Sequence, residues 1–153
     1  MKFTTPKVLM STPDSFVNLP TITRSAAAAL IDAARAAAER IGFEPAIAIT
    51  DPSGSLRAFE RTEGSSFLAG DIATDKAWTS ATFGIDGYTW AKVLEDPGAA
   101  HLRHRPRLTP VGGGVPIRAG GKLIGGLGIS GGNHAQDHDA CIAALSALGY
   151  DVG

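Results

Sequence analysis

The sequence predicts a single α+β domain whose strands pair antiparallel. Three observations carry that expectation. Two pairs of short aliphatic runs, 45–50 with 55–61 and 115–117 with 122–129, are each joined by turn-forming residues, the signature of β-hairpins. Segments with helical spacing of apolar residues lie before, between and after these hairpins. A length of 153 residues suits one core, small enough that association with further copies would help bury surface.

In chain order, residues 1–20 hold Pro6, Pro13 and Pro20 and no period, and read as an irregular arm ahead of a domain spanning 21–153. Thr23 is an N-cap, and RSAAAALIDAARAAAERIG then sets Ala27, Leu30, Ile31, Ala34, Ala38 and Ile41 on one helical face, with Gly42 as the stop. The run 45–50 reads as a buried strand, Asp51-Pro52-Ser53-Gly54 as a turn, and 55–61 alternates Leu56, Ala58 and Glu60 against Arg57, Phe59 and Arg61. After a Gly/Ser loop, 68–83 predicts a second helix ending at Gly84, with Ile72, Asp75, Lys76, Thr79 and Phe83 near one stripe. A third short helix spans 88–94.

The stretch from Gly112 to Ala144 organises the rest. Ala119-Gly120-Gly121 turns one strand into the next, and Gly125, Gly126 and Gly128 lie inside the second strand, which marks a bulge or the close approach of a ligand or another backbone. Asn133 and Gln136 form a capping box at the start of the last helix, so free N–H groups of Gly131 to His134 predict a place for a carboxylate or phosphate. Gly126-Leu127-Gly128-Ile129-Ser130-Gly131 matches G-x-G-x-x-G, yet the strand arrives by a hairpin and no further parallel strand with an acidic residue follows, which argues against a dinucleotide site.

A formal net charge of −1 leaves no electrostatic footprint for nucleic acid or an anionic membrane. The single Cys141 excludes an internal disulfide and a cysteine metal site. The first 20 residues lack the apolar core of a signal peptide, and no run approaches transmembrane length, so a cytoplasmic location is expected.

Several residues are candidates for chemistry. Lys76, flanked by apolar neighbours, either snorkels to solvent, pairs with Asp71, Asp75 or a strand acid, or offers an ammonium to an acidic ligand. Trp78, Tyr88 and Trp90 supply core or the walls of a flat apolar pocket. His101, Arg103, His104, Arg105 and Arg107 form the one basic cluster, either a solvated loop or a site for an anionic or metal-bearing ligand. His134 and His138 have the i, i+4 spacing of a metal pair but lack an evident third ligand.

The blocks RIGF, IAITDPSGSLRAFERTEG, GDIATDKAWTSATFG and GGGVPIRAGGKLIGGLGISGGNHAQDHDACIAA, in this order over about residues 19–150, resemble the GlcG/HbpS-like family (domain of unknown function 336), which includes the C-terminal domain of PduO-type proteins. The resemblance implies an antiparallel sheet of about five strands flanked by helices, assembly into homo-oligomers, and haem as the one cofactor, with some members haem-degrading and others accessory to corrinoid or glycolate metabolism. By the same resemblance the family pattern falls on Arg61, Asp71, Lys76, Thr79 and Phe83, and on Gly113, Gly114, Pro116, Gly125, Gly128, Ser130, Gly131 and Asp139. Thr62 stands where the family commonly has Met, and HLRHRPRLTPV replaces a usually polar, Gly/Asn-rich segment, which points to an altered ligand.

Three functional readings follow. In the first, haem or a related planar anionic small molecule sits in an apolar pocket, its carboxylates on Arg or Lys and on the glycine-loop amides, with His101 or His104 as axial ligand. In the second, a cofactor-independent enzyme acts on a small carboxylate or phenol, with Lys76 or His104 as acid or base. In the third, the chain is an accessory structural oligomer whose glycines serve close packing.

Overall fold

The computed structural model describes residues 1–152. Helix α1 (Arg24–Ile41) starts where the Thr23 hydroxyl accepts from the Ala26 amide at 3.1 Å and stops at Gly42, whose φ of 108° suits glycine. Strands β1 (Ala46–Thr50) and β2 (Leu56–Arg61) form the first hairpin. At its turn the Asp51 carboxylate accepts from the Ser53 hydroxyl and from the Ser53 and Ser55 amides. Helix α2 (Phe67–Ala81) is capped by Ser66, and α3 (Gly87–Val93) by Asp86. A short 3-10 helix (Ala100–His104) precedes β3 (Gly114–Ala119) and β4 (Lys122–Ser130), and α4 (His134–Ala147) follows with the Asn133/Gln136 capping box fully formed.

The strands make one antiparallel sheet in the order β2-β1-β4-β3. Four strands stand where about five were expected: the two hairpins supply all of them, and residues 1–20, with three prolines and no strand pairing, add none. Helices α1 and α4 cover one face through Leu30, Ala34, Ile47, Leu127, Ile129 and Leu145, all fully buried. Helix α2 covers the other. There the contact surface is made of small residues, Ala69, Ala73 and Ala77 of α2 against Ala46 and Ala48 of β1.

The strand glycines have their cause in that second face. A Cβ on Gly128 would lie 1.9 Å from the Ala73 carbonyl oxygen, and one on Gly126 would lie 2.2 Å from that of Ala77. Helix α2 therefore rests with its backbone directly on β4, and the approach foreseen at these glycines is that of a helix.

The second helix also ends earlier than its sequence suggests. It closes at Ala81, and Phe83 and Gly84 both turn into the left-handed region, at φ 63° and 61°. Phe83 thus leaves the helical stripe and stands 79% exposed. The buried face of α2 instead includes Ala69, Ala73, Lys76, Ala77, Thr79 and Ser80.

Candidate functional site

Two constellations gather the polar candidates, one sealed in the interior and one open at the surface. The sealed one centres on Lys76, which projects from α2 past β4 to the start of α4. Its Nζ donates to the Ile129 carbonyl at 3.0 Å and to Asp137 Oδ2 at 2.8 Å, with both side chains of the ion pair 3% exposed. The other carboxylate oxygen, Asp137 Oδ1, accepts from the Gly132 amide at 2.9 Å. The Asn133 amide is taken by Gln136 Oε1 and the Gln136 amide by Asn133 Oδ1. The anion at this helix start is thus the protein's own carboxylate, which takes the Gly132 amide, while the Asn133 amide is taken within the capping box. Gly113, at φ 105°, closes the pocket, because a Cβ there would lie 2.7 Å from Lys76 Nζ. Cys141 donates to the Gly113 carbonyl from below at 3.4 Å, and burial pushes its thiol well above the ordinary range. Lys76 thus pairs with a fourth-helix acid, not with Asp71, Asp75 or a strand acid.

The open constellation is a cleft of about 350 Å³ where the end of α2 meets α3 and the loop after the 3-10 helix. Trp78 comes from the end of α2, Phe83 from the turn that follows it, Trp90 from α3, and Leu102, Arg105 and Leu108 from the basic segment. Trp90 is pinned by its indole N–H, which donates to the Thr79 carbonyl at 3.0 Å, and its ring lies 5.6 Å from that of Phe83. Thr79, buried, also holds the opposite wall: its hydroxyl donates to the Arg107 carbonyl at 3.1 Å and accepts from the Thr109 amide at 2.9 Å. The Arg107 guanidinium lies 4.9 Å from the centre of the Trp78 ring and binds Asp75 at 3.0 Å.

Of the basic cluster, Arg103 is occupied by the carbonyls of Ala100 and Leu94, and Arg107 by Asp75. No side-chain hydrogen bond or ion pair engages Arg105 among the described residues. His101 and His104 flank it on the 3-10 turn, exposed, with ring centres 6.2 Å apart. Phe83 and Arg107 are the two non-glycine residues with left-handed φ among the described residues, at 63° and 73°; Phe83 lines this cleft and Arg107 lies over its Trp78 wall. Such backbone strain persists where the surrounding structure enforces it, and it gathers at ligand sites.

The remaining candidates are dispersed. Tyr88 leaves the aromatic cleft and donates or accepts at His134 Nδ1 over 2.9 Å, with its ring 4.8 Å from that of His138. Arg61 donates to the Ser65 carbonyl and lies with Asp71 in a shallow hollow between β2 and α2. Pro116 lines a hollow beside Arg118 and Asp86. Gly114 packs on the Lys76 carbonyl, Gly131 on that of Glu44, and Ser130 is buried at the end of β4. Among the described residues, no group of three or more His, Cys, Asp or Glu is placed to hold a metal ion. No helix among the described residues is long and apolar enough to cross a membrane. Asp137 escaped the sequence reading as the partner of Lys76 because the two lie 61 residues apart in the chain.

Fold and cleft together define a small α+β domain with an aromatic, cation-rimmed surface site. Residues 22–146 match the family described as haem degrading protein HbpS-like. The chain belongs to that family. It is 29% identical over 134 residues to the uncharacterized 15.0 kDa protein of the dhaT-dhaS intergenic region of Citrobacter freundii, covering 85% of this chain and 94% of that one. It is 31% identical over 153 residues to the corrinoid adenosyltransferase PduO of Salmonella typhimurium, covering 96% of this chain but 41% of PduO, so it spans less than half of that protein. Among solved structures, HbpS superposes with a TM-score of 0.82 at 25% identity, covering 92% of this chain and 99% of HbpS. The complex of PduOC with haem superposes with a TM-score of 0.76 at 26% identity over 86% and 97% of the respective chains.

Proposed function

We propose that the chain binds haem or a closely related planar anionic ligand in the cleft of Trp78, Phe83 and Trp90. The observation that carries this reading is the joining, in one open groove, of two indoles and a phenyl ring with Arg105, which no acid among the described residues neutralises. Flat apolar walls suit a conjugated macrocycle, and a free guanidinium suits its carboxylates through charge-assisted hydrogen bonds. The donor set fits haem in a further respect, since His101 and His104 stand exposed on the turn that supplies Leu102 and Arg105 to the cleft. A groove of about 350 Å³ is at the small end of ligand sites and holds a flat molecule by one edge. Bound haem supplies a redox-active iron; this chain's residues stack against the ring, neutralise its carboxylate and offer an imidazole. The haem complex of PduOC and the family description support the same ligand class.

The turnover of a small carboxylate or phenol, with His104 as the acid or base, remains the second reading, because the same cation and rings suit such a substrate. Haemin titration of the full chain, followed in the Soret region, separates the two. Saturable one-to-one binding, weakened about 10-fold or more by Arg105→Ala and with an altered Soret maximum in His101→Ala or His104→Ala, supports the haem reading. A non-saturable response that is the same in all three variants overturns it.

A further inference from the structure

We propose that the N-terminal arm is an exchange segment: residues 16–19 of one copy lie along the outer edge of β2 of a second copy, and the second copy's arm does the same in return. The proposal goes beyond the ligand reading and does not depend on it.

The first observation is the arm itself. Residues 1–20 are exposed throughout, yet they carry eight large apolar side chains, among them Phe3, Leu9, Met10, Phe16 and Val17, each between 76% and 108% exposed. Together these present roughly 1,000 Å² of apolar surface, more than the few hundred Å² of patch that a monomer ordinarily shows. That is comparable with the ~800 Å² per partner of a stable interface. Pro6, Pro13 and Pro20 break the arm as a helix, so an amphipathic membrane helix is not its form. The arm lies ahead of the family match, which begins at Ile22.

The second observation is a matching acceptor. Strand β2 is the last strand on its side of the sheet, bonded only to β1, so its outer N–H and C=O groups have no strand partner. Beside that edge lie Leu56 at 51%, Phe59 at 46% and Phe67 at 79% exposure, an apolar rim around the hollow between β2 and α2. An extended segment added to such an edge gains backbone hydrogen bonds and sets alternate side chains onto the rim.

The third observation is where the arm is rooted. Ile22 is tied to the sheet by its amide, which donates to the Ile124 carbonyl at 2.9 Å. Leu19 and Pro20 lie against Asp51, Ser53 and Arg57, at the turn from which β2 begins. Root and acceptor thus meet at the tip of the β1–β2 hairpin. Two copies related by a two-fold axis can satisfy both at once, and the exchange closes as a dimer instead of running on as a fibre.

The test uses the full chain without ligand. Copies carrying Val17→Cys are mixed with copies carrying Leu56→Cys under mild oxidation, and the disulfide-linked peptides are identified by mass spectrometry; the native Cys141 is buried and stays out of the reaction. An interchain 17–56 link at least 10-fold above that formed with a Lys92→Cys control, and lost when Phe16→Glu is added to the Val17→Cys copy, supports the exchange. A link no stronger than the control, or a link within one chain when both cysteines are on it, overturns it. Retention of the wild-type chain, but not of Phe16→Glu, on vesicles of phosphatidylcholine and phosphatidylglycerol, without the interchain link, assigns the arm to a lipid surface and also overturns it. Failure here leaves the cleft reading untouched, since the link is read with no ligand present.

Discussion

Lys76 shows at the scale of one residue how a reactive-looking side chain becomes a structural pin. Its ammonium, the Asp137 carboxylate and the Gly132 amide form one buried network linking α2, the end of β4 and the start of α4. Removing one partner leaves the other charge buried and unpaired, which costs about 3–5 kcal/mol. Lys76→Ala or Asp137→Ala is therefore expected to lower the thermal midpoint by roughly 6–20 °C in a domain of this size, read by circular dichroism. The double change Lys76→Met with Asp137→Leu is expected to cost less than either single change, because no lone charge remains. Tyr88 gives a second prediction. Burial first, and then the nearby Asp139, Asp137 and Asp86, raise its phenol above the ordinary value near 10. A folded value above the unfolded one means that this stabilisation is whole below pH 10 and is lost as pH rises through the folded value. Ultraviolet titration of a Tyr150→Phe chain is expected to show the Tyr88 phenolate forming above pH 10, and earlier once the chain is unfolded. That Lys76 sits beside apolar neighbours was legible in the sequence; its full burial and the identity of its partner, brought near by the tertiary fold alone, were not.

At the scale of elements, the contact of α2 with β4 decides the shape of the domain. Alanines every fourth residue on α2 and glycines at alternate positions of β4 let two backbones meet without side chains between them. Gly128→Ala sets a methyl group against the Ala73 carbonyl, where no flexible side chain can yield. The expected cost is about 1–3 kcal/mol, seen as a lower urea midpoint with an unchanged slope. Gly120→Ala, in a turn with open space around it, is the control for crowding, although its φ of 57° carries a cost of its own. The hairpins and helices were readable from period and turn chemistry, because Asp51, Gly54, Gly120 and Asn133 act on their own neighbours. The end of α2 was not: the pattern runs on to Phe83, and only the packing of Trp90 and the Arg107 loop shows why the chain turns away at Thr82. That turn is what opens the cleft.

For the whole molecule, the sheet separates two kinds of surface. One face carries the aliphatic core under α1 and α4, while α2 covers the other and ends at the aromatic cleft. The family matches over residues 22–146, a span that includes the basic segment on which the cleft draws through Leu102, Arg105 and Leu108. Both tryptophans of the chain, Trp78 and Trp90, line that cleft, so a ligand there has to report on all of the indole emission. The measurement to make is haemin titration followed at once by tryptophan emission and by Soret absorbance. The account predicts that emission falls several-fold and saturates at the same haemin concentration as the Soret change, with Arg105→Ala shifting both curves together. Saturable Soret binding that leaves the emission unchanged would contradict it and place the ligand elsewhere on the domain.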